Sequence, residues 1–295
     1  ALYDPPTPES KTVIEELKSL NVNYKMLTGD NILVARSIAE QVGLGTNILD
    51  ARELRQGVDV EKIMNADGFA EVLPSDKYTI VKSLEDYGYS VGMTGDGVND
   101  AAAIKEASVG IAVENATDVA RSAAAVVLLK NGLRTIVDLI EESRRIFNRL
   151  VSYSVFKLAR STGILIYVIA TFLILKALSI TPLQLILLIF INDIATITIS
   201  TDDEGFSKSV SAWNRKHIIY LSVIYAIVLF FIEFASFYIG IINKLTIAEI
   251  QTLSFVALSY ADRFVLLSIR ERRLFIRSAP SLPLVLAIIL GIITV

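Results

Sequence analysis

The chain has 295 residues, with 28 Lys and Arg against 31 Asp and Glu, one His and no Cys. Its 53% hydrophobic content excludes an intrinsically disordered protein, and the lack of cysteine excludes a disulfide scaffold and a thiolate metal site. Residues 1–150 carry 16 basic and 23 acidic side chains, whereas residues 151–295 carry 12 and 8. The acidic first half shows no basic face, which argues against nucleic-acid binding.

Short apolar runs alternate with helical stretches in the first half, a pattern typical of a parallel sheet with helices on both faces. We therefore expect an α/β domain over residues 1–132, with its ligand site beyond the carboxyl ends of the strands. The predicted strands are Val22–Leu27, Ser90–Met93, Val109–Val113 and Val126–Leu129, and the predicted helices are Ile32–Gln41, Ala101–Glu106 and Asp118–Ala123.

Two of these strands end in the same tripeptide, at Thr28–Asp30 and at Thr94–Asp96, and the second continues to Asp100. The carboxylates of Asp96 and Asp100 are the hard oxygen ligands that Mg²⁺ prefers. Because Mg²⁺ is usually held by one or two carboxylates plus phosphate oxygens, the motif predicts phosphate chemistry.

A helix start at Pro74–Lys77 adds to this prediction, since Lys77 can point a compact cation at phosphate. With the hydroxyl of Thr28 and the carboxylate of Asp96, it supplies the groups that phosphoryl transfer needs. A Thr-Gly-Asp turn alone is common, and a single lysine is usually just solvated, so neither would indicate a phosphate site. Their combination in this order is much more specific for phosphoryl chemistry.

The second half is predicted to be a membrane domain over residues 133–295, starting with one helix from about Leu133 to about Leu175. No proline lies between Pro74 and Pro182, and such a helix would be roughly 65 Å long. The predicted helices are at about 133–178, 182–201, 218–242, 250–269 and 282–295, the last one truncated.

Basic connectors at 202–217 and 270–279 are expected to be cytoplasmic, on the same side as residues 1–132. The alternative to membrane spans is that these apolar segments form the buried core of a globular domain. The alternation of basic connectors with connectors of low charge disfavours that alternative. Both ends of the chain look cut, so we expect a piece of a longer protein.

Ionisable residues inside membrane spans are functional candidates because their burial is costly. Asp193, with Asn192 beside it, is the deepest and is too short to reach the interface, so we expect an isolated buried acid that binds an ion or a proton. The side chain of Lys157 is expected to extend towards the interface, and the same extension is the alternative to a functional role for Arg160. Asp262–Arg263 is expected to be a structural charge pair that faces neighbouring helices.

The ordered motifs Asp4-Pro5-Pro6, Met26–Asp30, Pro74–Lys77 and Thr94–Ala102, followed by a long helix, resemble the C-terminal half of a P-type cation-transporting ATPase. Within that family the second span resembles the plasma-membrane proton ATPases. The resemblance implies a partial haloacid-dehalogenase-like, Rossmann-like cytoplasmic domain joined to an all-α transmembrane bundle. It also implies Mg²⁺ as cofactor, ATP as substrate, and a multi-pass protein of the plasma membrane.

The resemblance assigns roles to individual residues. Thr28 and Lys77 would contact the phosphoryl group, and Asp193 would carry the transported proton. Asp96 would bind Mg²⁺, with Asp100 supporting that site. The other candidates are Gly29, Asp30, Thr94 and Asn99 at the catalytic site, Asn192 and Arg160 for ion transport, and Asp4 for nucleotide binding.

The family's phosphorylated aspartate, in Asp-Lys-Thr-Gly-Thr, does not occur here, and Asp76 belongs to the lysine motif instead. We therefore expect the chain to be inactive without the N-terminal part of the same protein. A single mid-span carboxylate in the second span favours a proton over Ca²⁺, which takes six to eight oxygens. Glu233 in the third span could add a ligand, which leaves Na⁺ or another small cation as the alternative transported ion. A membrane-anchored phosphatase and a non-catalytic scaffold are the rival interpretations.

Overall fold

The computed structural model describes residues 6–130, 132–202, 213–270 and 279–295. Contacts divide the chain into two compact units, Ala1–Ile140 and Glu141–Val295, called unit 1 and unit 2 below. Asp4, the candidate for nucleotide binding, lies outside the described residues.

Unit 1 alternates short strands with helices. Its strands are β1 (Met26–Leu27), β2 (Ile48–Asp50), β3 (Gly68–Ala70), β4 (Gly92–Gly95), β5 (Val109–Ala112) and β6 (Val126–Val127). Its helices are α1 (Ser10–Ser19), α2 (Ile32–Gln41), α3 (Val60–Asn65), α4 (Pro74–Asp86), α5 (Ala101–Glu106) and α6 (Asp118–Ala123).

The strands pair in parallel, as predicted, but they form two sheets of three strands rather than one sheet. The strand orders are β1-β3-β2 and β4-β5-β6, so β1 and β4 are both edge strands among the described residues. Leu27 of β1 pairs in register with Phe69 of β3. Strands β2 and β3 have three residues each and were not predicted, because such short segments leave no recognisable apolar run.

Three helices of unit 1 have the bounds that the sequence predicts. The side chain of Asn31 caps α2 by accepting hydrogen bonds from the backbone N–H groups of Leu33 and Val34, at 3.0 and 3.1 Å. Thr117 caps α6, and Pro74 occupies the first turn of α4, where a missing N–H is tolerated. Local capping therefore sets the helix starts around the strand ends.

Unit 2 is helical. Its elements are α7 (Arg134–Leu175, which starts within unit 1), α8 (Pro182–Ile197, continued by a 3₁₀ turn at Thr198–Thr201), α9 (Arg215–Ile242), α10 (Ile247–Arg270) and α11 (Leu282–Ile293). The long uninterrupted helix predicted from the sequence is present, with 42 residues and a length of roughly 63 Å. Among the residues that the structure describes, four helices are long and apolar enough to cross a membrane, namely α7, α8 with its 3₁₀ turn, α9 and α10.

Helices α7 and α9 approach closely at a small residue. A β-carbon added at Gly163 would lie 3.3 Å from the β-carbon of Leu229 and 3.4 Å from the carbonyl oxygen of Ala226. Small residues at such crossings let helix backbones pack against each other in a membrane.

Asp202 ties several helix ends of unit 2 together. Its side chain is fully buried and accepts a hydrogen bond from Arg270 Nε, at the end of α10. Its other carboxylate oxygen accepts the backbone N–H of Ser281 at 2.8 Å, just before α11. Its carbonyl oxygen accepts Arg149 Nε of α7 at 2.7 Å. This acid therefore fixes one end of the bundle.

Candidate functional site

The first Thr-Gly-Asp turn of unit 1 lies against the segment that leads into α4. The carbonyl oxygen of Thr28 accepts the N–H of Val72 at 3.0 Å, and that of Asp30 accepts the N–H of Glu71 at 2.9 Å. The hydroxyl of Thr28 donates to Asp30 Oδ2 at 2.7 Å, and Gly29 is exposed. The turn thus stands at the end of β1, next to the start of α4.

The second motif joins the same helix start through a lysine. Lys77 Nζ donates to Asp100 Oδ1 at 2.6 Å, and Asp100 is buried. A β-carbon at Gly95 would lie 2.6 Å from the β-carbon of Asp100, so only glycine leaves room for that acid. Both predicted motifs therefore lie next to the first turn of α4.

The remaining residues of the second motif lie at its surface. Asp96 and Asn99 are exposed, and Thr94 is partly buried. In the part of the chain that the structure describes, the Asp96 side chain makes no hydrogen bond or ion pair, whereas Asp100 is engaged by Lys77. No group of three Asp, Glu, His or Cys residues that could hold a metal occurs among the described residues. One open carboxylate suits Mg²⁺ whose coordination is completed by phosphate oxygens and water.

Arg55 is a residue of this region that the sequence analysis missed. Its guanidinium binds Asp76 with two hydrogen bonds, at 2.6 and 3.2 Å, and Asp76 also accepts the N–H of Leu73 at 2.8 Å. Such paired bonds are the strong form of the Arg–carboxylate interaction. Since Asp76 precedes Lys77, they hold the turn from which the lysine projects.

The Arg55–Asp76 pair predicts a pH dependence. The hydrogen bonds from Arg55 hold the pKa of the Asp76 carboxyl below its usual value. Their stabilisation is therefore present above the unfolded-state pKa of about 3.9 and is lost as the pH falls through the lower folded-state pKa. Because the side chain of Arg55 is 38% exposed, solvent screening weakens this contribution.

Hydrogen exchange at the Leu73 amide measures this effect. The protection factor of the wild type, divided by that of Asp76→Asn, should be high at neutral pH and fall towards one as the pH drops through the lowered folded-state pKa of Asp76. A ratio that stays constant with pH would contradict the assignment.

Gly95 and Gly97 provide a matched pair of substitutions. Gly95→Ala should lower the free energy of unfolding of unit 1 by about 1–3 kcal/mol, because the new methyl overlaps Asp100. Gly97→Ala should cost less than about 1 kcal/mol, since its nearest neighbour atom would be 3.7 Å away and its φ is −99°. Denaturant-dependent hydrogen exchange of α5 measures both, and equal costs would contradict the tight packing of Asp100.

Asp193 in unit 2 is not the isolated buried acid that the sequence predicts. Its side chain is 39% exposed and pairs with Lys157 Nζ of α7 at 2.5 Å. Arg160 Nη1 lies 3.5 Å from the same carboxylate oxygen. Lys157 thus contacts this acid instead of extending away from it, and Arg160, a candidate for ion transport, lies beside the same acid.

Arg160 links Asp193 to a second, buried acid. Its Nε lies 3.0 Å from Asp262 Oδ2, and the same oxygen accepts Asn192 Nδ2 at 2.6 Å. Arg160, Asn192 and Asp262 are all buried. Asp262 thus faces the neighbouring helices, as predicted, but its ion-pair partner is Arg160 rather than Arg263.

Arg263 occupies space that a glycine of α11 leaves open. Its Nη1 donates to the carbonyl oxygen and hydroxyl of Ser259 one turn earlier. A β-carbon added at Gly291 would overlap the guanidinium. Glu233 of α9 is also fully buried, so the candidate ionisable residues Arg160, Glu233, Asp262 and Arg263 all lie in the interior of unit 2.

Comparisons with known proteins give a consistent result. A family model described as haloacid dehalogenase-like hydrolase matches residues 1–108. The chain is 42% identical over 291 residues to a protein of Methanocaldococcus jannaschii whose name places it among the cation-transporting ATPases, which covers 95% of this chain and 36% of that protein. It is 42% identical over 237 residues to plasma membrane ATPase 2 of Saccharomyces cerevisiae, covering 77% and 25%.

A solved structure titled for the catalytic domain of the CPx-ATPase CopB-B is 28% identical, with a TM-score of 0.38 over 47% of this chain and 46% of that one. The chain spans between a quarter and about a third of the length of the two curated relatives above.

Proposed function

We propose, for a chain that is related to the P-type ATPases and among these to the plasma-membrane ATPases, that the whole protein is an ATP-driven pump that moves protons out of the cytoplasm. The chain itself combines part of a haloacid-dehalogenase-like domain with a helical bundle of a multi-pass membrane protein. The aspartate that becomes phosphorylated and the nucleotide-binding part would be supplied by the preceding part of the same protein.

In unit 1, Thr28 and Lys77 would contact the transferring phosphoryl group. The contact between Lys77 and Asp100 supports this role, because it keeps the ammonium group next to the loop that follows β4. Gly29 and Asp30 would shape the first turn, while Thr94 and Asn99 would shape the second.

Asp96 would hold Mg²⁺, with Asp100 fixing the loop behind it. When bound, the ion would neutralise charge on the phosphoryl oxygens. The exposed, unpaired carboxylate of Asp96 supports this assignment.

In unit 2, Asp193 would take and release the transported proton. Lys157 and Arg160 would stabilise its ionised form after release, and Asn192 would connect the same turn of α8 to Asp262. Two cations beside the acid disfavour a metal ion at Asp193, so a proton is preferred over Na⁺. Residues 1–132 would form the cytoplasmic domain and residues 133–295 the membrane domain, in the plasma membrane.

The observation that carries the proposal is that the similarity to a cation-transporting ATPase runs through both units, over 291 residues. The whole protein in proteoliposomes should acidify the vesicle lumen when Mg²⁺ and ATP are added outside. A pH-sensitive dye, in buffers with and without Na⁺, measures this. Asp96→Asn should abolish both ATP hydrolysis and acidification.

The rival functions give other outcomes. Uptake of Na⁺ without acidification would replace the proton with another cation. Mg²⁺-dependent phosphatase activity without ion movement would indicate a membrane-anchored phosphatase, and an Asp96→Asn protein with every activity intact would indicate a scaffold.

A further inference from the structure

Glu233, in the middle of α9, has no role in the mechanism proposed above. Its side chain is 0% exposed, and among the described residues neither carboxylate oxygen has a hydrogen-bond partner. Helix α9 otherwise buries only apolar and small side chains, together with Ser222. An acid in such surroundings needs either a compensating cation or a proton.

The cations of unit 2 make their contacts with groups other than Glu233. Arg160 donates Nη2 to the carbonyl oxygen of Leu188, and its Nη1 and Nε lie 3.5 and 3.0 Å from Asp193 and Asp262. Arg263 donates Nη1 to Ser259, while its Nε and Nη2 have no hydrogen-bond partner among the described residues. None of these contacts reaches Glu233, so an ionised carboxylate there would have no partner to replace the water that it lost.

The groups that surround Glu233 favour a proton over a metal ion. Asp262 of α10 and Arg160 and Tyr167 of α7 are buried side chains of the same unit. The hydroxyl of Tyr167 donates to Ser254 Oγ at 2.6 Å. No group of three acids, histidines or cysteines is available among the described residues, and the guanidinium groups would repel a metal cation.

We propose that Glu233 is a second proton-binding acid of unit 2, separate from Asp193, and that it carries a proton while Asp262 is ionised and paired with Arg160. The contacts of the two acids explain why the proton is assigned to Glu233 and the negative charge to Asp262. Asp262 has an ion-pair partner at 3.0 Å and an amide donor at 2.6 Å, whereas Glu233 has neither. The site thus takes a proton, and its occupancy does not depend on catalysis by unit 1.

Infrared spectroscopy of the protein in lipid vesicles tests this proposal, because a protonated carboxylic acid absorbs apart from ionised carboxylates. The wild type at neutral pH should show such a band, and Glu233→Gln, which mimics the neutral acid in shape, should remove it. Glu249→Gln is the matched control, because Glu249 is an exposed glutamate of α10. The band of the protonated carboxylic acid should be unchanged in this control variant.

A second measurement needs no substitution. With ¹³C-labelled glutamate carboxyl groups the band should shift, and with labelled aspartate it should stay in place. A band that follows the aspartate label, or that survives Glu233→Gln, overturns the proposal. Both results are independent of ATP hydrolysis, so failure here is distinguishable from failure of the pump assignment.

Discussion

Replacing Arg160 with leucine should lower the free energy of unfolding of unit 2 by about 3–5 kcal/mol, one of the largest effects expected in this chain. The substitution removes the cation that lies 3.0 Å from the carboxylate of Asp262, which is 1% exposed. It also removes the donor to the carbonyl oxygen of Leu188. A buried charge that loses its partner retains the full cost of its dehydration, which explains the size of the effect.

The double variant Arg160→Leu/Asp262→Leu should recover most of this loss, because no unpaired charge remains. Arg160→Lys keeps a cation and should cost less than Arg160→Leu. Trp213 is the single tryptophan and lies against Phe147, with ring centroids 5.9 Å apart, so its fluorescence reports denaturant unfolding of unit 2 in detergent. Wild-type stability of the single variant, or no recovery in the double variant, would contradict the ion pair.

Asp193→Asn should reduce ATP-driven acidification by the whole protein to the level of passive leak. An amide neither takes nor releases a proton, and it leaves Lys157 without the anion that it contacts at 2.5 Å. The measurement is lumenal pH in proteoliposomes, with ATP hydrolysis followed in parallel. Hydrolysis that continues while acidification is lost would show that the acid acts in transport rather than in folding.

Asp138→Asn is the matched control for this variant. Asp138 is an exposed acid near the start of α7, and its replacement should leave acidification unchanged. Normal acidification by Asp193→Asn would exclude this residue as the proton carrier. If the protein were a membrane-anchored phosphatase, neither substitution would change its phosphatase activity.

The sequence was sufficient for elements whose signals are local. Helix α2 has the predicted bounds because Asn31 caps it, and the start of α4 is marked by Pro74. The motif at Thr94–Asp100 was found because its residues are contiguous. Strands β2 and β3 were missed because three residues carry too little pattern.

The interior of unit 2 was less predictable because helix packing decides it. Axial position placed Asp193 deep in α8, but the rotation of the helix places it partly at the surface, beside Lys157. Arg160 and Asp262 are about 100 residues apart in the chain, and no local pattern indicates that they meet. Arg55, too, reaches Asp76 only through the folded arrangement of unit 1.

The space at Gly291 has an evolutionary consequence. Since the guanidinium of Arg263 fills the volume that a β-carbon would need, the two positions cannot vary independently. Across an alignment of homologues, a residue larger than glycine at 291 should coincide with a shorter side chain at 263. The pair would then appear as a covarying contact between α10 and α11, readable from sequences alone.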